Sequence, residues 1–399
     1  MITKQSIELT EYKTKRLAKE DFSQELAEYL WRNHGNQITI DFPNPMNDWR
    51  WGLTNQGWVG YIPIKKELTI VLKPKVPIKN VFGMLEYAYN LKSVYFFQDH
   101  VHSDSVQDFF NVLANILAKK ILNRVRKGLY KSYQDRNEKL SYVCGKIEFH
   151  EHLRKPWDPS LTCRYQNCTP DIGDNQILLW TLYIIIRSGL CNAETSKLIH
   201  QAYRNLQRIV QVQPFTAIQC KSRFYTRLNL DYQVMHNLCW FFLEHCGPQI
   251  STGKQVSIPF VVNMPNLYEM FVAEWLKMHL PEKYELIAQE RVNIGDNDML
   301  YFIIDLVIYD KNTGETLYVL DTKYKKNEGI SPADFSQVVT YALAKNCSEA
   351  ILIYPWKSSE HYSDYIQNIR VRSLPFKIDD DLETTGKQFL KELFEVDLV

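Results

Sequence analysis

Three charged side chains in the last third of the chain stand in segments that are otherwise apolar. Asp305 lies within Tyr301–Tyr309 (YFIIDLVIY), and Asp321 and Lys323 lie within Leu317–Tyr324 (LYVLDTKY). Apolar runs of this kind are typical of strands that are buried on both faces. An ionised carboxylate is very costly to bury in such a strand unless a positive charge compensates it. These residues therefore indicate a site that binds a cation.

Strand geometry predicts how the three side chains are arranged. Side chains alternate between the faces of a strand, so Asp321 and Lys323 share one face. The segment Asp310–Glu315 (DKNTGE) has the composition of a turn, and folding the chain at 312–313 places Asp305 opposite Asp321. Directly opposed residues have Cβ atoms about 4.5–5.5 Å apart. Two carboxylates this close repel each other unless a cation lies between them, and Mg²⁺ prefers such oxygen ligands.

Lys323 adds the chemistry of phosphodiester hydrolysis to this pair. Beside a metal ion, its ammonium group can position or help to deprotonate the attacking water, and it can stabilise the charge of a pentavalent phosphorane. The alternative is purely structural: a buried Asp321–Lys323 salt bridge, with Asp305 exposed at a strand end. That alternative leaves the carboxylate in the middle of an apolar run unexplained.

Two flanking helices offer further candidates. Glu269 borders the apolar stripe of the predicted helix Asn266–Leu280, where it either reaches the metal site or faces solvent. A second helix is predicted to begin at SPAD, with Ser as N-cap and Pro at the first helical position. On that helix Gln337 and Tyr341 are four residues apart and share a face. Gln289, just before the hairpin, is a further polar candidate.

The chain of 399 residues is too long for one ordinary core. Short strand candidates predict a small β-rich N-terminal domain over 1–78: Gln37–Phe42, Trp58–Ile62 and Leu68–Leu72. Helical periodicity predicts a mainly helical middle domain over 79–255, with helices at 104–135, Asn175–Ser188, Ala193–Gln211 and Tyr232–His245. Ser251–Ile258 is the predicted linker, and 256–399 is predicted to form an α/β domain. The fold class expected is therefore multi-domain α/β.

Composition limits the classes of function. The net charge of +1 means that any nucleic-acid contact must be local, and the basic stretch Lys119–Lys131 is either a solvated helix face or a phosphate-contacting stripe. The N-terminus lacks the apolar segment of a signal peptide, and Ile177–Ile186 is too short to span a bilayer. The eight cysteines form no CxxC pair. We therefore expect a cytoplasmic protein with reduced cysteines and no membrane contact.

Asp305, then Asp321-Thr322-Lys323, then Gln337 and Tyr341 resemble the PD-(D/E)xK nuclease superfamily, in the branch with a QxxxY helix. More specifically, the chain resembles the McrC family, the nuclease subunits of McrBC-type modification-dependent restriction systems. The similarity extends from about residue 58 to 356, through LTIVLKPKVPIKNVFGMLEYAYNL, RKGLYKSY, CGKIEFHEHLRK, DNQILLW, NLYEMFVAEWL, IDLVIYD, VLDTKYKK, FSQVVTYALA and ILIYP. Ile304 stands where the superfamily often has Pro. Cys144 stands where the family usually has Arg, which leaves any role of that Arg in doubt.

The resemblance implies a restriction-endonuclease-like C-terminal domain that cuts double-stranded, methylated DNA. It implies Mg²⁺ as cofactor, held by Asp305, Asp321 and Glu269, with Lys323, Gln337 and Tyr341 completing the catalytic set. It also implies a partner, an McrB-like AAA+ GTPase ring, into which the N-terminal and middle regions would dock. Cleavage of both strands implies that two complexes pair. The chain has no GxxxxGK[ST] motif, so the partner must supply the nucleotide chemistry.

Two other functions remain open from the sequence. A stand-alone nuclease of this fold in DNA repair or end processing would cut DNA without a GTPase. A non-catalytic activator of an AAA+ ring would bind the ring and cut nothing. The facing carboxylates in an apolar hairpin argue against the activator, since a scaffold has no need of them.

Overall fold

The computed structural model describes residues 5–65, 68–91, 106–154, 157–221, 223–246, 258–294, 300–325, 330–356 and 362–395. The chain divides into two compact units, one formed by residues 1–109 and 259–399 and the other by 110–258. The first unit combines the two ends of the chain and carries every candidate site residue. Among the helices of the described ranges, none is long and apolar enough to cross a membrane.

The N-terminal part of the first unit is rich in strands, as the sequence predicts. Its elements are β1 (Gln5–Thr10), β2 (Thr14–Leu17), α1 (Gln24–His34), β3 (Ile38–Asp41), β4 (Trp51–Asn55), β5 (Trp58–Lys65), β6 (Leu68–Lys73) and α2 (Ile78–Ala88). A short 3-10 helix, Pro45–Asn47, lies between β3 and β4. The turn between β4 and β5 is closed by Asn55, whose side chain bonds both the N–H and the carbonyl of Trp58.

Two sheets are built from these strands, and one of them needs a strand from far along the chain. β2, β4 and β3 form a three-stranded sheet in that order, whereas β1, β6 and β5 are joined by β10 (Phe260–Asn263). β10 pairs antiparallel with β5, with Val262 opposite Val59. β10 directly precedes the helix that carries Glu269. The chain therefore passes from the N-terminal sheet straight into one wall of the candidate site.

The second unit contains more strand than predicted. It begins within α3 (Val106–Lys127) and continues with β7 (Ser132–Leu140), β8 (Lys146–Ile147), α4 (Phe149–Arg154), β9 (Leu161–Thr169), α5 (Gly173–Ser188), α6 (Ala193–Gln207), α7 (Ile218–Lys221) and α8 (Tyr232–His245). β7, β9 and β8 form a three-stranded sheet in that order. The helix predicted over 104–135 is wrong at its end. Gly128, at φ +96°, follows the last helical residue, and the polar segment SYQDRNEKL pairs with β9.

Three further helices of this unit, α5, α6 and α8, agree with the periodicity of the sequence, although α6 ends at Gln207 rather than at Gln211; α4 and α7 were not predicted. The helix predicted at Tyr232–His245 is α8 with the same bounds, and α5 and α6 start within two residues of their predicted positions. Most of the predicted linker, residues 251–257, lies outside the described residues. The basic stretch Lys119–Lys131 covers the last two turns of α3 and the segment before β7.

The C-terminal part of the first unit is an α/β layer structure. Its elements are α9 (Met264–His279), β11 (Tyr284–Asn293), β12 (Tyr301–Asp310), β13 (Thr316–Thr322), α10 (Pro332–Ala344), β14 (Glu349–Tyr354), β15 (Ser363–Ile366), β16 (Ile369–Pro375) and α11 (Leu382–Phe394). The six strands form one mixed sheet in the order β11, β12, β13, β14, β16, β15. α10 packs on an apolar cluster of this sheet that includes Val319, Leu352 and Val371. The mixed α/β architecture predicted from the sequence is confirmed.

A buried hydrogen bond connects the two parts of the first unit beside the candidate site. Tyr324, which follows Lys323 in the chain, donates from its hydroxyl to Glu11 Oε2 at 3.0 Å. Glu11 Oε1 accepts from the backbone N–H of Lys75 at 3.3 Å. Glu11 is completely buried, and burial is the main cause that raises its pKa to about 7. The N-terminal sheet thus holds a titratable group against the strand end that carries the candidate lysine.

Glu11→Gln is expected to raise the free energy of unfolding, and more so at pH 8 than at pH 5. The unfolded chain releases the Glu11 proton above about pH 4.5, whereas the folded chain keeps it to about pH 7, so this contribution to stability is lost across that window. The stability that the wild-type chain loses across the whole window is about 3 kcal/mol. Gln keeps both hydrogen bonds, because the Tyr324 hydroxyl can accept as well as donate. Urea unfolding at the two pH values measures the effect.

The control for this prediction is Glu8→Gln. Glu8 lies on β1, which Glu11 directly follows, but it is half-exposed and pairs with Lys73 at 2.6 Å. We expect no gain in stability from this change at either pH. An equal gain from Glu11→Gln at pH 5 and pH 8 would contradict the role of its titration.

Candidate active site

The hairpin β12–β13 has the register that the sequence predicts. Leu306 lies opposite Leu320, so the next positions outward are Asp305 and Asp321. Asp305 is tied to β13 at this point, because its Oδ2 accepts from the N–H of Thr322 at 2.9 Å and from its hydroxyl at 3.0 Å. Thr322 was not singled out from the sequence, although its place between Asp321 and Lys323 marks it. These bonds hold the Asp305 carboxylate across the strands from Asp321.

Asp321 is the most buried of the candidate side chains, with only 1% of its surface exposed. Lys323 Nζ lies 2.6 Å from its Oδ2, whereas its Oδ1 is buried without a hydrogen-bond partner among the described residues. Burial raises the pKa of Asp321 to about 7, and the nearby charge of Asp305 adds to the effect. One oxygen of this carboxylate is therefore neutralised by the lysine, and the other faces a position that calls for a positive charge.

Lys323 is held by a chain of side-chain hydrogen bonds from α10. Its Nζ donates to Gln337 Oε1 at 3.0 Å, and Gln337 Nε2 donates to the Tyr341 hydroxyl at 2.8 Å. Burial by itself lowers the pKa of Lys323, but the Asp321 carboxylate more than offsets this and the pKa is raised. The structure thus brings Gln337 and Tyr341 together with Lys323, and the two residues orient its ammonium group.

Glu269 also belongs to the acidic group. It lies on α9 and is half-buried, and its Oε1 accepts a hydrogen bond from Gln289 Nε2. Burial and, to a lesser extent, the charge of Asp305 together raise its pKa to about 7. Of the two alternatives left open by the sequence, this electrostatic coupling favours a place in the site over a purely solvent-facing one.

The donor set suits a hard divalent cation such as Mg²⁺. A buried carboxylate oxygen without a partner is costly, and a cation on Asp321 Oδ1 would satisfy it. Asp305 and Glu269 add negative charge around the same point, and carboxylate oxygens are the ligands that Mg²⁺ prefers. Within the described ranges, however, no three His, Cys, Asp or Glu side chains are already gathered into a metal-binding cluster. Binding would draw these carboxylates closer together.

The regular alternation of β12 is interrupted where Asp305 lies. Ile304 and Val307 both pack in the apolar cluster under α10, although residues three apart on a regular strand face opposite sides. The alternation therefore slips by one residue between them. Because of this slip, the Asp305 carboxylate can point toward β13 and stay out of the apolar core that the rest of β12 helps to form. No pattern in the sequence predicted it.

Comparison with known proteins places the chain in a family. Residues 53–355 match the family described as McrBC 5-methylcytosine restriction system component. A curated relative is the type IV methyl-directed restriction enzyme EcoKMcrBC of Escherichia coli (strain K12). It is 22% identical over 272 residues, which are 64% of this chain and 75% of that protein.

Solved structures resemble the chain over most of its length. A chain of the refined half-complex from the tetradecameric assembly of Thermococcus gammatolerans McrB AAA+ hexamers with bound McrC has a TM-score of 0.58. The identity is 16%, over 98% of this chain and 100% of that chain. A chain of the Thermococcus gammatolerans McrBC complex, solved by cryo-EM, has a TM-score of 0.45 and 17% identity, over 70% and 89% of the two chains. The first of these supports the overall fold.

The family match covers more than half of the chain and includes Glu269, Asp305, Asp321, Lys323 and the α10 pair. In agreement with the resemblance to McrC in its sequence, the chain belongs to the family of McrBC 5-methylcytosine restriction system components.

Proposed function

We propose that the chain is the Mg²⁺-dependent DNA endonuclease subunit of an McrBC-like restriction system. The observation that carries this proposal is Asp321, a buried carboxylate with one oxygen on Lys323 and the other without a partner among the described residues. A purely structural ion pair would not be placed beside a second and a third acidic side chain. In a restriction system component, phosphodiester hydrolysis explains why such a costly arrangement is kept.

The residues of the site have separable roles in this proposal. Asp305, Asp321 and Glu269 would hold Mg²⁺, which supplies positive charge to a phosphate oxygen and lowers the pKa of a bound water. Lys323 stays protonated at neutral pH, because its pKa is raised by Asp321. We therefore assign it to stabilising the negative charge that develops on the phosphate rather than to removing a proton. Gln337 and Tyr341 keep its ammonium group in place.

The proposal includes a partner that hydrolyses GTP. The related assembly contains McrB AAA+ hexamers with bound McrC, and this chain has no P-loop motif of its own. We propose that it works in the cytoplasm with an McrB-like AAA+ GTPase, stimulates GTP hydrolysis, and cuts methylated double-stranded DNA as paired complexes. The partner would then read the modified base.

Reconstitution with the partner tests this proposal. The purified chain is combined with the McrB-like GTPase, GTP and Mg²⁺, on methylated and unmethylated DNA. We expect cleavage of the methylated DNA only when all components are present. Efficient cutting without GTP and partner would favour a stand-alone repair nuclease. Stimulation of GTP hydrolysis without any cutting would favour a non-catalytic activator.

A further inference from the structure

Gln289 has a backbone conformation that is unusual for its place in the fold. It lies within β11, at φ +52°, in the left-handed region that residues other than glycine rarely adopt. A strand interior requires extended backbone, so this conformation must be held by the surrounding structure. Strained backbone of this kind is often found where it positions a functional side chain. The contact that the Gln289 amide makes shows which side chain this is.

Gln289 lies on the strand next to the one that carries Asp305, at the same level of the sheet. Ala288 pairs with Leu306 and Glu290 pairs with Ile304, so Gln289 stands across from Asp305. The structure describes every residue of β11 and β12. Between the two ends of their ladder, Gln289 and Asp305 are the one opposed pair that forms no β-bridge. The interruption of β11 thus coincides with the slip in β12. Both strands depart from regular geometry at the level of the Asp305 carboxylate.

The side chain of Gln289 connects this point to α9. Its amide Nε2 donates to Oε1 of Glu269, the acidic residue on that helix. Asp305 and Asp321 both carry charge that repels Glu269. Without a neutral donor on its carboxylate, repulsion would turn the flexible side chain of Glu269 away from the other two acids toward solvent.

We propose that Gln289 is a positioning residue: its left-handed backbone aims the amide at Glu269 and holds that carboxylate on the metal-binding side of the sheet. This inference rests on the proposed function, since it assumes that Glu269, Asp305 and Asp321 bind a divalent cation. Gln289 itself is not a ligand in this arrangement. Its role is to fix a ligand from the other side, as groups around metal sites commonly do.

Binding of Mn²⁺ alone tests the proposal, measured from the electron paramagnetic resonance signal of the free ion, with Mg²⁺ as competitor. Gln289→Ala and Gln289→Gly are expected to weaken the site by at least about tenfold. Gln289→Gly should also raise the melting temperature, because glycine adopts this backbone without strain. A loss of affinity together with a gain in stability separates positioning from a structural role. Excess Mg²⁺ is expected to restore cleavage by both variants.

Gln367 provides the matched control. It is also a glutamine at φ +52°, but it lies exposed in the turn between β15 and β16, at the other edge of the sheet. Gln367→Gly should raise the melting temperature and leave Mn²⁺ affinity unchanged. Asp321→Asn is expected to abolish Mn²⁺ binding, which identifies the site. If it does, wild-type affinity in both Gln289 variants would overturn the positioning role of Gln289 but not the metal site. No Mn²⁺ binding by the wild-type chain would overturn the proposed metal site as well.

Discussion

Asp321→Asn is expected to reduce the rate of DNA cleavage by at least about 10³-fold, because a metal ion supplies several kcal/mol of transition-state stabilisation. The amide keeps the shape of the side chain but removes the negative charge that would hold the cation. Asp321 is also the partner that fixes Lys323 Nζ, at 2.6 Å. The change therefore removes both the metal and the orientation of the lysine. Single-turnover cleavage by the reconstituted complex measures the effect.

The same change is expected to leave the folded chain at least as stable as before. With a pKa of about 7, ionising Asp321 costs about 4 kcal/mol more in the folded chain than in the unfolded chain. The cost sets in as the pH rises above 3.8 and is complete above about pH 7. At pH 8, Asn avoids it, although Lys323 then loses its partner. Urea unfolding of the variant should show no loss of stability.

Asp364→Asn is the matched control for this prediction. Asp364 lies on β15, the exposed edge strand of the same sheet, and accepts a hydrogen bond from the neighbouring N–H of Tyr365. It should keep wild-type cleavage. If Asp321→Asn lowered stability as much as it lowered cleavage, the loss of activity would reflect the fold and not the metal.

Lys323→Met is expected to have the second largest effect, a loss of cleavage of about 10²–10³-fold at neutral pH. Methionine preserves the length and packing of the side chain but carries no charge to place on the phosphate. The ammonium group of Lys323 lowers the pKa of Asp321 toward its ordinary value. Its removal should raise that pKa further above about 7. The variant should therefore bind divalent cations only at more alkaline pH than the wild type.

Cleavage and Mn²⁺ binding across pH 6 to 9 check both parts of this prediction. Lys325→Met is the control, since Lys325 is two residues away, is more exposed and pairs with Asp334. It should retain cleavage within a few-fold. A Lys323→Met variant that cut DNA normally once the pH was raised would contradict charge stabilisation and leave the lysine only a role in tuning Asp321.

The core of the candidate site could be predicted from the sequence because it depends on local rules. An aspartate within an apolar strand signals an unusual demand, and the alternation of strand side chains places Asp321 and Lys323 together. The position of the turn then sets the register that puts Asp305 across from Asp321. The i, i+4 spacing on α10 likewise predicted that Gln337 and Tyr341 would meet.

What the sequence did not predict depends on contacts between distant segments. β7 is a strand because β9 pairs with it, and nothing in its polar sequence contains that information. β10 joins a sheet whose other strands lie some two hundred residues earlier, so the first unit combines both chain ends. The bond between Tyr324 and Glu11 and the left-handed backbone of Gln289 arise in the same way. Each follows from a long-range contact that local propensity does not encode.

Cleavage and GTP hydrolysis recorded in one reaction test whether Asp305, Asp321 and Lys323 form the DNA-cutting site of this restriction component. The reaction contains methylated DNA, Mg²⁺, GTP, the partner GTPase and the Asp321→Asn chain. We predict GTP hydrolysis at the rate seen with the wild-type chain and no more cut DNA than in a chelator control. Cut DNA accumulating at the wild-type rate would exclude Asp321 from the cutting site and place the chemistry elsewhere.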